Sequence, residues 1–321
     1  MTTDQSARSD GPPRSLDPRS RWIDLDGPVH YLDFGGPADG PTIVCVHGLS
    51  GSAVNWSAIA PLLTDRYRVL APDLAGHGLT ESHGRGTAVA ANRRLLHRFI
   101  QAVPGRPVIL IGNSMGGMIS LLEASAAPNT VVGLVLVDPA LPFVAARPDP
   151  FVAALFAAYT TPGIRQILMG RRRRLTPEEL VARVLSLCCV DPARVPTDVL
   201  AQHVEVARRR LRFADVEREF ADAARSIIAT SGYPPGRAAY VRRIRMITCP
   251  VLLIQGARDR LVPVGAAVAA ARANPAWTLV IMPGVGHVPQ LEAARDTAGV
   301  ITDWLGSGGR RAVQAAAPHG S

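Results

Sequence analysis

GNSMGG, residues 112–117, stands between an apolar run, PVILI (107–111), and a helix-forming stretch, MISLLEASA (118–126). A serine placed where a buried strand runs into a helix sits at a tight corner, which tolerates only small residues two places before and two after it. Gly112 and Gly116 meet that requirement, and Gly117 lets the helix pack closely on the sheet. Such a turn exposes the Ser114 hydroxyl at the top of the sheet, the placement a nucleophile needs. The plain alternative is a glycine-rich turn with an incidental serine. The two readings part on whether a base and an acid follow.

On both sides of this corner, short apolar runs alternate with amphipathic stretches, which predicts strands joined by crossover helices in a mostly parallel sheet. WIDLDGPVHYLD (22–33) predicts two antiparallel strands turned at Asp26-Gly27-Pro28. Residues 42–48, 67–74, 107–112, 131–138, 250–256 and 278–284 predict the rest. Helices are expected over 87–103, with Leu95, Leu96, Phe99 and Ile100 on one face, over 264–273, and from Pro289 to a stop at Gly306.

Residues 141–249 lack strand signals and read as helical. Thr176-Pro177-Glu178-Glu179 opens one helix with a capping box and a proline at its first position, followed by Leu180, Val184 and Leu187 on one stripe. The expected fold class is therefore α/β: an eight-stranded, mostly parallel sheet flanked by helices, with a helical cap inserted after the sixth strand. Core segments 21–140 and 250–306 flank a cap at 141–249. Residues 1–20 and 307–321, rich in Gly, Pro, Ser, Ala and Arg without apolar periodicity, read as flexible tails.

A serine hydroxyl becomes nucleophilic only when a base takes its proton and donors stabilise the oxyanion. GARDRLVP (256–263) places Asp259 after one late strand, and PGVGHVPQ (283–290) places His287 after the next. Both fall at carboxyl ends of strands, where open α/β sheets gather their ligands, and in the order Ser, Asp, His. One imidazole nitrogen can then accept the Ser114 proton while the other N–H is held by the carboxylate. Asp138, closing VVGLVLVD (131–138), also ends a strand and is a second candidate for the acid. Two backbone amides are needed for the oxyanion. Met115, next to the nucleophile at a helix N-terminus, is one, and Leu49, in HGLSGS (47–52) after the first buried strand, is the other.

With HG (47–48), DLAGHG (73–78), GNSMGG, GARDRLVP and GHVPQLE (286–292) in place, the chain resembles α/β-hydrolase-fold enzymes over residues 21–306, most of the cap excepted. Its motifs are similar to those of bacterial carboxylesterases and of the carbon–carbon hydrolases that act on meta-cleavage products. The resemblance implies a serine hydrolase, with an ester-cleaving enzyme as the main expectation and carbon–carbon cleavage as the alternative. Ser114 stands where haloalkane dehalogenases and related epoxide hydrolases use aspartate, which disfavours those activities. Val288 stands where the carbon–carbon hydrolases place tryptophan. A non-turnover binding protein on the same fold is a further alternative, as is a lipase whose basic cap docks on anionic lipid.

Composition limits the rest. Hydrophobic residues make up 47% and charged residues 19%, ordinary globular usage. The chain has no lysine, so all 35 basic residues are arginine, which removes Walker A and Schiff-base chemistry. Cys45 and Cys249 lie in apolar runs and Cys188 and Cys189 are adjacent, without CxxC or zinc spacing, so reduced thiols and no metal are expected. No cofactor is called for. The polar N-terminus lacks the apolar core of a secretory signal, so a soluble cytoplasmic protein is expected. Phe143, Phe151, Phe156 and Tyr159 in the first part of the cap, with Val288, are candidates to line an apolar substrate pocket. Formal charge is +9, and the cap carries nearly all of it: 18 Arg against 10 Asp plus Glu, or +8, over 141–249. Without a binding motif or aromatic platform, this charge does not argue for nucleic acid. A small-molecule ester is the expected partner.

Overall fold

The computed structural model describes residues 17, 19–142, 149–161, 163–172, 174–232 and 234–307, with the side chains of 155, 156, 159, 160, 165, 169 and 172 also outside the description. The tail segments read from the sequence therefore lie almost wholly outside the described residues.

Eight strands, β1 (Ser20–Asp24), β2 (Pro28–Gly35), β3 (Thr42–Val46), β4 (Arg68–Pro72), β5 (Val108–Asn113), β6 (Val131–Val137), β7 (Val251–Gly256) and β8 (Thr278–Met282), form one sheet. Their spatial order is β1-β2-β4-β3-β5-β6-β7-β8. The pairs β1/β2 and β2/β4 are antiparallel, and every later pair is parallel. Because β3, β5 and β7 are buried at every position, they carry unbroken apolar runs rather than alternating ones. Alternate residues still part to opposite faces. Val44, Val46, Leu110, Leu134 and Leu253 pack with Leu96, Phe99 and Met118, whereas Ile43, Cys45, Ile109, Val135 and Ile254 pack with Trp56, Ile301 and Leu305. Each such large side chain contributes about 1.5–3 kcal/mol on burial.

The helices are α1 (Val89–Ala102), α2 (Met115–Ala126), α3 (Pro150–Thr160), α4 (Ile164–Arg172), α5 (Pro177–Cys188), α6 (Thr197–Arg210), α7 (Val216–Ser231), α8 (Gly236–Ile244), α9 (Val264–Ala273), α10 (Pro289–Glu292) and α11 (Ala294–Ser307). Leu95, Leu96, Phe99 and Ile100 form the buried face of α1, as their spacing predicts. The stretch from Pro289 differs from its sequence reading. Ala293, at φ −139°, divides it into two helices, and the second runs through Gly306 to Ser307 instead of stopping there. Gly306 has no left-handed φ, and a Cβ there would meet open space, so neither conformation nor crowding requires glycine at this position.

Helices α3 to α8 all lie between β6 and β7. The capping box at the start of α5 forms, with Glu179 N–H donating to Thr176 Oγ1 at 3.1 Å and Thr176 N–H to Glu179 Oε2 at 2.9 Å. The packed face of that helix is offset from the sequence reading. Val181 and Leu185 are buried against Val199, Val288 and Leu291, while Leu180 and Leu187 are half-buried and Val184 is exposed, and all five border one cavity. Side-chain hydrogen bonds tie this helical insertion to the rest of the molecule: Ser57 Oγ to Gln202 Oε1 at 2.7 Å, Thr87 Oγ1 to Glu219 O and Tyr240 Oη to Ala140 O, both at 3.0 Å. No described helix is long and apolar enough to cross a membrane.

Candidate active site

The corner between β5 and α2 is as tight as its sequence requires. Ser114 lies at φ 55°, ψ −117°, a conformation that costs a residue with a Cβ about 1–3 kcal/mol and persists only where surroundings enforce it. They do so here through Ser114 N–H to Val137 O at 3.1 Å and through Ser114 O, which accepts from Ala140 N at 3.0 Å and Met118 N at 3.1 Å. A Cβ on Gly112 would lie 2.5 Å from Gly116 O and 2.7 Å from Ser120 Oγ, and one on Gly116 would enter the Val46 carbonyl.

The loop after β3 approaches this corner closely, since a Cβ on Gly48 would lie 3.0 Å from Ser114 Cβ. It turns through Gly51 N–H to Gly48 O at 3.0 Å, with Ser50 at φ 59°. Among the described residues, neither the Leu49 nor the Met115 amide has an acceptor. His47 and Asp73 shape the loop, roles that sequence reading did not assign. Asp73 accepts from Ala53 N at 2.6 Å, Leu79 N at 2.7 Å and His30 Nδ1 at 2.7 Å. Burial pushes the Asp73 carboxyl up, but His30, His47 and the Leu79 amide outweigh it and hold the carboxyl below its ordinary range. His47 donates from Nδ1 to Gly48 O at 2.8 Å and accepts at Nε2 from Leu74 N at 3.1 Å. Burial holds its pKa below the ordinary imidazole value. The same cause pushes His77 down to about 3.

Across the corner, His287 Nδ1 donates to Asp259 Oδ2 at 2.8 Å, a pair whose side chains are 5% and 0% exposed. The Asp259 carboxylate also accepts from Leu261 N at 2.7 Å, Val262 N at 3.1 Å and Gln255 Nε2 at 3.2 Å. Burial alone would raise the Asp259 pKa, but the imidazole first, and then the Val262 amide, hold it below the ordinary carboxylate value. Of the two acids open in the sequence, Asp259 therefore carries the imidazole. Asp138, at φ 46° and fully buried, instead accepts from Gln255 Nε2 and Gly256 N, each at 2.8 Å.

The backbone around His287 is fixed from several elements. Its N–H donates to Cys188 O at the end of α5 at 2.6 Å, and its carbonyl accepts from Asn113 Nδ2 at 3.0 Å. Gly286 N–H donates to Glu292 Oε2 at 2.8 Å. Neither the Asn113 nor the Cys188 partnership has a sequence signal, because each joins residues far apart in the chain.

Ser114, Leu49 and His287 line one cavity of about 1940 Å³, together with Phe151, Leu168, Val184, Leu187, Phe213 and Val288. Phe151 is 59% exposed, with its ring centre 5.8 Å from the Arg260 guanidinium carbon. Val288 is buried beside Val181 and Leu291. Phe143 lies outside the described residues, as do the side chains of Phe156 and Tyr159. Arg171, Arg183, Arg210, Arg212, Arg225 and Arg260 also border the cavity, against Glu217 as the acidic residue there. Arg210 is engaged by the carbonyls of Gly76 and Gly78, both at 2.8 Å.

The profile of the alpha/beta hydrolase family matches residues 43–300. Over 286 residues the chain is 31% identical to the magnesium-chelatase 30 kDa subunit of Rhodobacter capsulatus, covering 87% of this chain and 92% of that one. It is 26% identical over 290 residues to the monoacylglycerol lipase ABHD6 of Mus musculus, covering 87% and 82%. The crystal structure of a putative lipase from Acinetobacter baumannii superposes with a TM-score of 0.71 at 24% identity, covering 89% of this chain and 90% of that one. The chain belongs to the alpha/beta hydrolase family, and it is a hydrolase by class.

Proposed function

We propose that the protein cleaves carboxylic esters carrying small to medium apolar groups, through an acyl-enzyme on Ser114. The observation that carries this reading is one cavity shared by a serine on a strained strand-to-helix corner and a histidine whose far nitrogen is held by a buried carboxylate. Ser114 Oγ attacks the ester carbonyl as His287 Nε2 takes its proton, and the Leu49 and Met115 amides receive the oxyanion. His287 returns the proton to the leaving alcohol, then activates the water that releases the acid. Asp259 holds the imidazole with its proton on Nδ1 throughout. This sequence of steps draws on no cofactor.

The helical segment 141–249 acts as the cap over core segments 21–140 and 250–306. Its apolar lining, Leu168, Val184, Leu187 and Phe213 included, receives the acyl or alcohol group. p-Nitrophenyl esters of increasing chain length test this directly. Medium chains are expected to be turned over with higher kcat/KM than acetate, and Ser114→Ala is expected to abolish turnover of all of them. Equal turnover by Ser114→Ala contradicts the proposed mechanism, and equal kcat/KM across chain lengths contradicts the apolar pocket.

A further inference from the structure

Two carboxyl groups stand behind the imidazole, and the hydrogen-bond inventory does not supply both as anions. One side-chain atom from each of Asp138, Asp259 and His287 lies within 4.8 Å of the other two. Both Asp259 oxygens are served: Oδ1 by the Leu261 and Val262 amides, Oδ2 by His287 Nδ1 and Gln255 Nε2. Asp138 Oδ1 is served by Gly256 N and Gln255 Nε2. Asp138 Oδ2 is buried and receives no donor among the described residues. The Gln255 amide is oriented by Val262 O, an acceptor that carries no proton, so its Nε2 faces Asp138 Oδ1 and Asp259 Oδ2 as well, and its own Oε1 has no donor among the described residues. Two ionised carboxyl groups this close in a buried site are among the costliest arrangements a fold can carry, and a proton shared between them removes the repulsion.

We propose that Asp138 is a protonated carboxylic acid at neutral pH, with its proton on Oδ2 shared toward Asp259, and that it acts as a positioning residue holding Asp259 ionised and aimed at His287. The pair then carries one negative charge between two carboxyl groups, as close carboxylates sharing a proton do. Burial first, then the neighbouring Asp259, pushes the Asp138 pKa well above its ordinary value, in agreement with the donor count. The titratable groups around the pair are His287, Glu292 and the Cys188 thiol. Among them the imidazole is the one basic partner, and it bonds to Asp259.

The inference rests on the proposed roles of Asp259 and His287, but its test has a readout independent of turnover. Infrared spectra at pH 7.5 of protein labelled with carboxyl-¹³C aspartate are expected to show the carbonyl band of a protonated acid. That band is expected to be absent from Asp138→Asn, whose amide reproduces the neutral acid: its oxygen accepts from Gly256 and Gln255 and its NH₂ donates to Asp259. In the pH profile of kcat/KM, the midpoint of the acid limb is expected to stay within about 0.3 pH unit in Asp138→Asn, because no charge is removed. An ionised Asp138 would instead make that midpoint fall by about one unit or more on substitution. Asp138→Ala, which removes the donor, is expected to lower kcat/KM by about 10-fold or more, with Asp138→Asn recovering most of the loss. Absence of the band in the parent protein, or a fallen midpoint in Asp138→Asn, overturns the proposal. Should the variants not fold, absence of the band from the labelled parent protein still overturns the proposal. Failure of the ester-hydrolase reading shows separately, as turnover by Ser114→Ala.

Discussion

Replacing Asp259 by asparagine changes one atom and reverses the direction of a hydrogen bond. Asp259 Oδ1 faces two backbone amides and Oδ2 faces His287 Nδ1 and Gln255 Nε2, so every neighbour bonded to the carboxylate is a donor. An asparagine must set its NH₂ against one of these sides. The amides of Leu261 and Val262 cannot become acceptors, so the oxygen of the introduced side chain takes their side and its NH₂ turns to the imidazole. His287 then accepts at Nδ1 and carries its proton on Nε2, where the Ser114 hydroxyl needs an acceptor. In triads of this type the wrong tautomer lowers kcat by about 10⁴-fold, or about 5 kcal/mol of barrier at 1.36 kcal/mol per decade. Folding stability is expected to fall by about 1.5–3 kcal/mol, the contribution of a charge-assisted bond at a buried site. Steady-state hydrolysis of a p-nitrophenyl ester and urea unfolding of Asp259→Asn measure the two effects. Turnover within 10-fold of the parent enzyme would refute the tautomer reasoning and the proposed role of Asp259.

Further outcomes follow from the same geometry. Gly112→Ala places a Cβ 2.5 Å from Gly116 O and 2.7 Å from Ser120 Oγ, and urea unfolding is expected to show a loss of about 1–3 kcal/mol with a parallel fall in activity as the corner opens; parent-like stability argues against the crowding. His77, whose pKa burial pushes down to about 3, stays neutral in the fold while the unfolded chain takes up a proton near pH 6.5. Its stabilising contribution is thus complete above pH 6.5 and declines by about 1.4 kcal/mol per pH unit as the pH falls toward 3, so unfolding free energies equal at pH 7.5 and 5 contradict this account. Turnover of an anionic ester is expected to fall as salt rises, through screening of the arginines around the cavity; turnover insensitive to salt excludes steering by them.

Much of the framework was legible because it is local. Strands buried on both faces leave continuous apolar runs, as in TIVCV and VLLIQG, and the GNSMGG corner announces itself through the glycines that backbone contacts demand. The positions of Asp259 and His287 after β7 and β8 follow from the same strand pattern. What escaped reading depends on which surface a face meets. On α5, Leu180, Val184 and Leu187 form a helical stripe like any core, yet the residues buried most deeply are Val181 and Leu185. Periodicity reports an apolar face without distinguishing a packed core from a lined pocket. The split at Ala293 had no glycine or proline to mark it. Long-range partnerships were equally silent: Cys188 O holding His287 N, Asn113 bridging Val137 and His287, and Gln255 spanning Asp138 and Asp259 each depend on which loops the sheet order brings together.

Ser114 is the proposed nucleophile, and a fluorophosphonate reads the reactivity of its hydroxyl without knowledge of the natural substrate. The folded protein is expected to gain one covalent adduct, which peptide mass analysis assigns to Ser114. An adduct on another residue, or none at all, contradicts the proposed mechanism.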